Sequence, residues 1–264
     1  MKVLKLTVRN FRNVADCSFV PDGKLNFLIG SNGQGKTSLV EALGYLATLR
    51  SFRGAKSDEV IQWGQDSAEV SCTIGSEDPS LSDWNAELKI VFVRQGERTT
   101  KVAFINGKPY RSSTSYLSQR FGSFELGLHT VVFNPSDHDL VRGEPALRRH
   151  YLDRVIAAED VEYLKLLSKY QRTLEQRNAL LKAYEQPPRQ LLAGFSEPLV
   201  QTGAAVTRYR LDWLVRLRER LAETARRIAP TQPDLSAFYV SSWVPEIPNL
   251  SISNKGLDLS LIHI

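Results

Sequence analysis

Cysteine is nearly absent from this chain: Cys17 and Cys72 are the only two among 264 residues. Two isolated thiols build neither a disulfide framework nor a paired-cysteine metal site, so both are expected to be buried thiols of a cytosolic protein. The four histidines, His129, His138, His150 and His263, stand at no ligand spacing, which gives a metal or catalytic role for them no support. No run of about 18 apolar residues occurs, so no membrane-crossing helix is expected. The N-terminus, Met1 to Arg9, alternates apolar and charged residues where a secretion signal would have an apolar core. The expectation is therefore a cytoplasmic protein. There is no internal repeat and no low-complexity tract, which excludes solenoid and tail-like organisations.

What remains is ordinary globular composition, 42% hydrophobic and 24% charged, on a length that suits one or two domains. The net charge of +5 favours polyanionic partners such as nucleic acid, although a basic balance alone decides nothing.

The most specific feature is Gly30-Ser31-Asn32-Gly33-Gln34-Gly35-Lys36-Thr37, which satisfies every fixed position of G-x-x-x-x-G-K-[ST]. The glycines allow backbone conformations closed to other residues, so the loop can turn its N–H groups around phosphates. The positive end of the following helix points to the same place. Lys36 suits the β- and γ-phosphates, and the Thr37 hydroxyl suits Mg²⁺. The candidate nucleotide-binding set is Gly30, Ser31, Asn32, Gly33, Gln34, Gly35, Lys36, Thr37 and Ser38, with ATP and Mg²⁺ as cofactors.

The context is that of a phosphate-binding loop. Leu25 to Ile29 reads as a buried strand feeding the loop, and Leu39, Val40, Leu43, Leu46 and Ala47 predict a helix over 36–49. Lys2 to Val8 predicts a half-buried strand. Residues 67–74, 86–94 and 99–105 predict neighbouring strands with turns at Gly96 and Asn106-Gly107, hence an antiparallel subsheet. Thr130 to Phe133 reads as one more buried strand.

The texture changes at Pro135, and from Pro145 to Tyr184 the pattern is helical. Tyr163, Leu167, Tyr170, Leu174, Leu181 and Tyr184 lie near a heptad seam, Pro187-Pro188 breaks it, and a second helix is expected from about 190 to 228, with Leu199, Val206, Trp213, Leu217 and Leu221 on one side. Two antiparallel helices of about 40 residues would form an arm on the order of 60 Å long. Its arginines, among them Arg142, Arg148, Arg149, Arg154, Arg172, Arg177, Arg208, Arg210, Arg216, Arg218, Arg220, Arg226 and Arg227, read either as a solvated face laced with ion pairs or as a phosphate track. Residues 234–262 return to strand-like alternation. The predicted divisions are a head lobe at 1–134, an arm at 135–230 and a return toward the head at 231–264.

Hydrolysis needs an acidic residue, usually an Asp closing a hydrophobic strand. None fits downstream of residue 140; Leu257-Asp258-Leu259 has no apolar run before it. ATP binding with negligible turnover is the expectation for this chain.

Five blocks occur in order: Asn10-Phe11-Arg12-Asn13, the phosphate loop with Leu39-Val40-Glu41-Ala42-Leu43, Arg50-Ser51-Phe52-Arg53, the stretch from Phe133 to Arg149 followed by Tyr151-Leu152-Asp153, and Gln176 to Lys182. Together they resemble the RecF family of bacterial DNA replication and repair proteins, from residue 1 to about residue 230. The resemblance implies an α/β head of the ABC type, a mixed sheet with an antiparallel subdomain, and an inserted antiparallel helical arm. It implies DNA binding at single strands and at single/double-strand junctions, partnership with a RecR-type mediator, recombinase loading at gaps, a link to the SOS response, weak ATPase activity in the full-length protein and an ATP-dependent homodimer. It places Arg12 near the nucleotide phosphates and Asp137 in a metal-sensing loop. By residue type alone, Arg12 equally suits a surface turn and Asp137 a helix cap. Arg148 and Arg149 suit either pairs with Glu144 or Asp153 or a DNA contact. The chain differs from the family at Phe52 (often histidine), Ser38 (often asparagine) and Ser136 (often glutamate). The family's signature loop, acidic strand and switch histidine are expected after residue 264, so a truncated product is inferred. Other readings are an SMC-type head with a structural chromosome role, which would carry longer arm helices, and a small-molecule kinase, which would carry a lid instead of an arm.

Overall fold

The computed structural model describes residues 1–121, 128–233, 235–239 and 261–263. The chain divides into two compact units, Met1–Phe133 and Asn134–Ile264.

The first unit is a six-stranded antiparallel sheet with one long helix. Its strands are β1 (Lys2–Phe11), β2 (Val14–Phe19), β3 (Ser67–Gly75), β4 (Asn85–Gln95), β5 (Arg98–Ile105) and β6 (Lys108–Tyr110), in the order β2-β1-β3-β4-β5-β6. Short connections produce most of this order. Asn106 and Gly107 both take positive φ (48° and 76°), as an Asn-Gly hairpin turn needs, and set β5 against β6. The period-2 pattern sends Val8, Val70, Ile90 and Phe92 to one face, where they are fully buried. Helix α1 (Lys36–Thr48) contributes Ala42, Tyr45 and Leu46 to the same core. Phe11, Tyr45 and Phe92 meet there edge-on or tilted, with ring centroids 5.1–6.4 Å apart. Each such side chain stabilises the unit by about 1.5–3 kcal/mol through burial. On the other face Glu69 lies 3.9 Å from both Arg9 and Lys89. Strand β6 forms one edge of the sheet. It is three residues long, with Pro109 in its middle.

Two expected strands do not form. Residues 25–29 and 130–133 are irregular, with Phe27, Ile29, Val131 and Phe133 largely exposed. A buried strand exists only through neighbours that satisfy its amides and carbonyls, and no described strand pairs with either run. Helix α2 (Ser113–Leu117) is held against α1 by Tyr116, whose hydroxyl donates to the Leu46 carbonyl at 2.9 Å. Cys72 is buried as expected, and burial pushes its thiol up to about 12. Cys17 is only half-buried, because β2 is an edge strand.

The second unit is helical: α3 (Asp139–Arg142), α4 (Pro145–Glu159), α5 (Val161–Ala183) and α6 (Arg189–Ile228). The first expected arm helix is thus two helices. The break is Asp160, which leaves helical geometry (φ −135°, ψ 115°) and accepts from the N–H groups of Glu162 and Tyr163, so it caps α5. Helix α6 does run 40 residues, about 60 Å, and continues through Pro198. Helices α5 and α6 pack together as a hairpin. Gly203 lets the Tyr170 ring approach, since a Cβ there would lie 3.3 Å from it. Tyr163 and Leu167 are buried, as are Val206 and Trp213, but Leu181 and Tyr184 are exposed, so the seam ends short of the hairpin tip.

At the base of the hairpin Arg210 donates to both Asp153 oxygens at 2.8 Å, Tyr163 donates to Asp153 at 2.6 Å, and Arg210 reaches the Tyr239 hydroxyl at 3.1 Å. All four are buried. Short strands β7 (Ser236–Phe238) and β8 (Leu261–His263) pair in parallel. Residues 240–260 of the strand-like stretch, including Leu257-Asp258-Leu259, lie outside the described residues.

Candidate nucleotide-binding site

The site is built around the N-terminus of α1. Gly33 and Gly35 adopt φ of 84° and 92°, the left-handed region that favours glycine. Close packing adds a second constraint at Gly35, where a Cβ would sit 2.8 Å from Val14 Cγ2. Gly35 is the residue before the helix and offers no side-chain cap, so the first-turn N–H groups keep their capacity for an anion. Lys36 Nζ donates to the Gly30 carbonyl at 2.8 Å and the Ser31 carbonyl at 2.7 Å, which folds the loop over its own lysine. Gln34 Oε1 accepts the Ser31 N–H at 2.9 Å. The Thr37 side chain is exposed on the first turn. This combination of left-handed glycines, an uncapped helix start and one ammonium group fits a triphosphate, and the Thr37 hydroxyl fits its cation.

Ser38, the last residue of the candidate nucleotide-binding set, turns its side chain away from the loop mouth. It is buried, and its hydroxyl donates inward to Asn13 Oδ1 at 2.8 Å. A residue one step past the Thr37 position lies on the packed side of the helix, which explains the inward direction. Asn13 in turn donates through Nδ2 to the Gly33 carbonyl.

Arg12 has its guanidinium turned to a carboxylate. Nε and Nη2 donate to Glu41 at 3.1 and 2.7 Å, and Nη1 donates to the Glu59 carbonyl at 2.9 Å. Glu41 is fully buried on α1 and also accepts from Ser51 Oγ at 2.6 Å and Arg53 Nη1 at 3.4 Å. Burial pushes the Glu41 carboxyl upward, but hydrogen bonds from Arg12 and Ser51 and the charges of Arg12 and Arg53 outweigh it and hold the group below its ordinary value. Asn13, Glu41 and Ser51 are the site's supports that residue-by-residue reading missed. The available signal was a glutamate at a core-facing position of the helix, between Leu39-Val40 and Ala42-Leu43.

Asp137 belongs to the second unit. Its carboxylate accepts from the Asn134 N–H at 2.8 Å and the Asn134 side-chain amide at 3.2 Å, while Asn134 accepts from the Ser136 N–H. That is a reciprocal cap on the turn Pro135–His138. The arm arginines separate. Arg210 is buried against Asp153. Arg148 donates to the Leu140 and Gly143 carbonyls. Arg154 and Arg218 lie over the Tyr151 and Phe238 rings. Arg142, Arg149, Arg172, Arg208, Arg216, Arg220 and Arg227 are exposed.

A family model described as the RecF/RecN/SMC N-terminal domain matches residues 2–189. The chain belongs to this RecF/RecN/SMC family. Its similar proteins include the DNA replication and repair protein RecF of Geotalea uraniireducens strain Rf4, 32% identical over 239 residues, 90% of this chain and 60% of that protein. They include RecF of Anaeromyxobacter sp. strain K, 34% identical over 263 residues, 98% of this chain and 62% of that protein. A solved structure of the recombination mediator protein RecF with ATP, from the RecFOR pathway, superposes with a TM-score of 0.75 at 28% identity, covering 86% of this chain and 58% of that one. The chain therefore spans about three-fifths of the length of these RecF relatives. The fold is the RecF-type ABC ATPase head with its helical part.

Proposed function

We propose that this chain is the nucleotide-binding and arm-bearing portion of a RecF-type DNA repair and replication protein, acting as an ATP-dependent DNA-binding factor of recombinational repair. The observation that carries it is the loop itself: Gly33 and Gly35 in left-handed conformations, Lys36 at its mouth and the exposed Thr37 on the first helical turn. Gly30 to Thr37 would hold the triphosphate and Mg²⁺; Ser38 would contribute its backbone rather than its hydroxyl. Arg12 and Asp137 enter the reading as a phosphate-side cation and a metal or water contact, each from the position that relatives give them. ATP, when bound, supplies a ligand that favours one assembly state over another, and so shifts a population toward the paired form.

On this reading ATP favours a homodimer of full-length heads, and the paired form binds single strands and single/double-strand junctions, engages a RecR-type mediator, promotes recombinase loading at gaps and supports the SOS response in the cytoplasm. The absence of a strand-closing acidic residue after residue 140 supports ATP binding without measurable turnover by residues 1–264. The test is titration of the chain with a fluorescent ATP analogue and Mg²⁺. Saturable binding is expected, weakened about 100-fold or more by Lys36→Ala, in line with losing a charge–phosphate contact. Gel filtration of the full-length protein with and without ATP tests the dimer. DNA affinity that falls with salt, at a slope reporting phosphates contacted, tests the polyanion.

A further inference from the structure

The β1–β2 turn reaches the phosphate loop through one side chain that no phosphate-loop motif specifies. Asn13 Nδ2 donates to the Gly33 carbonyl, and Asn13 Oδ1 accepts from the buried Ser38 hydroxyl at 2.8 Å. A carbonyl only accepts, so the amide nitrogen must face Gly33 and the oxygen must face Ser38; the two bonds fix the orientation of the amide together. The contact is close on all sides. A Cβ at Gly35 would lie 3.5 Å from Asn13 Oδ1 and 2.8 Å from Val14 Cγ2, so Asn13 and Val14 press directly on the loop.

The turn that presents Asn13 is itself held. Arg12 takes φ 57°, donates its N–H to the Val60 carbonyl at 2.7 Å and grips Glu41 with two nitrogens. Glu41 and Ser38 both lie on α1, the helix that follows the loop. Asn13 is thus referenced at two points to the element whose N-terminus the loop forms.

We infer that Asn13 is a positioning residue for the triphosphate: by holding the Gly33 carbonyl on the outer side of the loop, it turns the Gln34 N–H to the inner side. In a trans peptide the C=O and N–H point in opposite directions, so pinning one aims the other. A glycine-rich loop without this tie samples conformations in which the Gly33 oxygen faces inward, where it repels phosphate oxygens. Selecting one peptide orientation beforehand removes that ordering cost from binding. The inference rests on the reading of Gly30 to Thr37 as the ATP site.

The experiment measures dissociation constants of the whole chain for a fluorescent ATP analogue with Mg²⁺, together with backbone amide NMR resonances recorded without nucleotide. Asn13→Ala is expected to weaken binding about ten-fold, the equivalent of one lost hydrogen bond. Asn13→Asp is expected to weaken it further, because a carboxylate cannot donate to Gly33 and adds negative charge beside the phosphates. Ser38→Ala, which leaves Asn13 in place but frees its oxygen, is expected to cost about three-fold. In Asn13→Ala the Gly33 and Gln34 amide resonances move while those of Ile90 and Phe92 in the sheet do not, a signature that general destabilisation would not produce. Wild-type affinity in Asn13→Ala, with binding lost in Lys36→Ala, overturns the role of Asn13 and leaves the ATP site standing. Equal affinity of wild type and Lys36→Ala, or no binding by the wild type, removes the ATP reading and this inference with it. Should Asn13→Ala not fold, an unmoved Gln34 resonance and unchanged affinity in the near-isosteric Asn13→Asp overturn the inference on their own.

Discussion

The two units each bury a carboxylate against arginine, and they do so to different ends. In the first, Glu41 gathers Arg12, Ser51 and Arg53, all from irregular segments, onto helix α1. In the second, Asp153 gathers Arg210 and Tyr163 from helices, and Tyr239 closes the cluster. The Glu41 cluster retains an edge to solvent, since the Arg53 side chain is 48% exposed, whereas Arg210 and Asp153 side chains are 10% and 9% exposed. Charge pairs of this kind set geometry more than they add stability. One cluster therefore fixes where loops sit beside the candidate nucleotide site, and the other fixes how helices α4, α5 and α6 register.

Burial favours a neutral Tyr163, and the adjacent Asp153 charge and hydrogen bond add to it, so its hydroxyl titrates well above the ordinary range. Burial would weaken the Arg210 charge, but the bonds and charge of Asp153 more than reverse this. The sharpest way to break the comparison is Arg210→Ala. It leaves Asp153 buried with one neutral donor and is expected to cost about 3–5 kcal/mol, measured by urea unfolding followed through helical circular dichroism, with ATP affinity unchanged. A loss below about 1 kcal/mol would mean that Tyr163 satisfies Asp153 without help.

Glu41→Gln is the matching change in the first unit. It is expected to cost about 2–3 kcal/mol and, unlike Arg210→Ala, to weaken Mg-ATP binding several-fold, because the turn carrying Asn13 loses its anchor. Equal effects of the two substitutions on nucleotide affinity would erase the distinction drawn between the clusters.

Acid tests the Glu41 cluster directly. Glu41 has a folded-state value below its ordinary 4.5, so its contribution to stability is present above that value and is lost as pH falls through the lower, folded one. Unfolding midpoints of the wild type should therefore drop below pH 4.5 more steeply than those of Glu41→Gln. Parallel curves would show that the carboxylate is not the group being titrated. The smallest effect is expected for Arg53→Ala, about 0.5 kcal/mol or less, because that pair is half-exposed and 3.4 Å long.

Much of this was legible because it is local. Alternation over β3, β4 and β5, with turns at Gly96 and Asn106-Gly107, fixed three adjacent hairpin strands, and the loop glycines with Leu39, Leu43 and Leu46 fixed α1. Residues 25–29 and 130–133 carry the composition of buried strands, but a strand is made by its neighbours, and composition does not say which neighbours pair. The break at Asp160 was hidden because an aspartate that caps and an aspartate on a wet helix face look alike until its side chain is seen accepting from Glu162 and Tyr163. Asn13 and Glu41 escaped for a related reason: their partners, Gly33 and Arg12, are 20 and 29 positions away. The arginines divide only in the structure. As a group they suit an ion-paired face or a phosphate track alike, and Arg210 and Arg148 are committed to Asp153 and to backbone carbonyls.

Strand β6 carries a last consequence. A three-residue rim whose central member, Pro109, lacks an amide hydrogen gives an incoming strand little to zip onto. Fibril-like stacking along that margin is discouraged, so when concentrated samples are heated, association should start elsewhere, and replacing Pro109 with valine should make that margin adhesive.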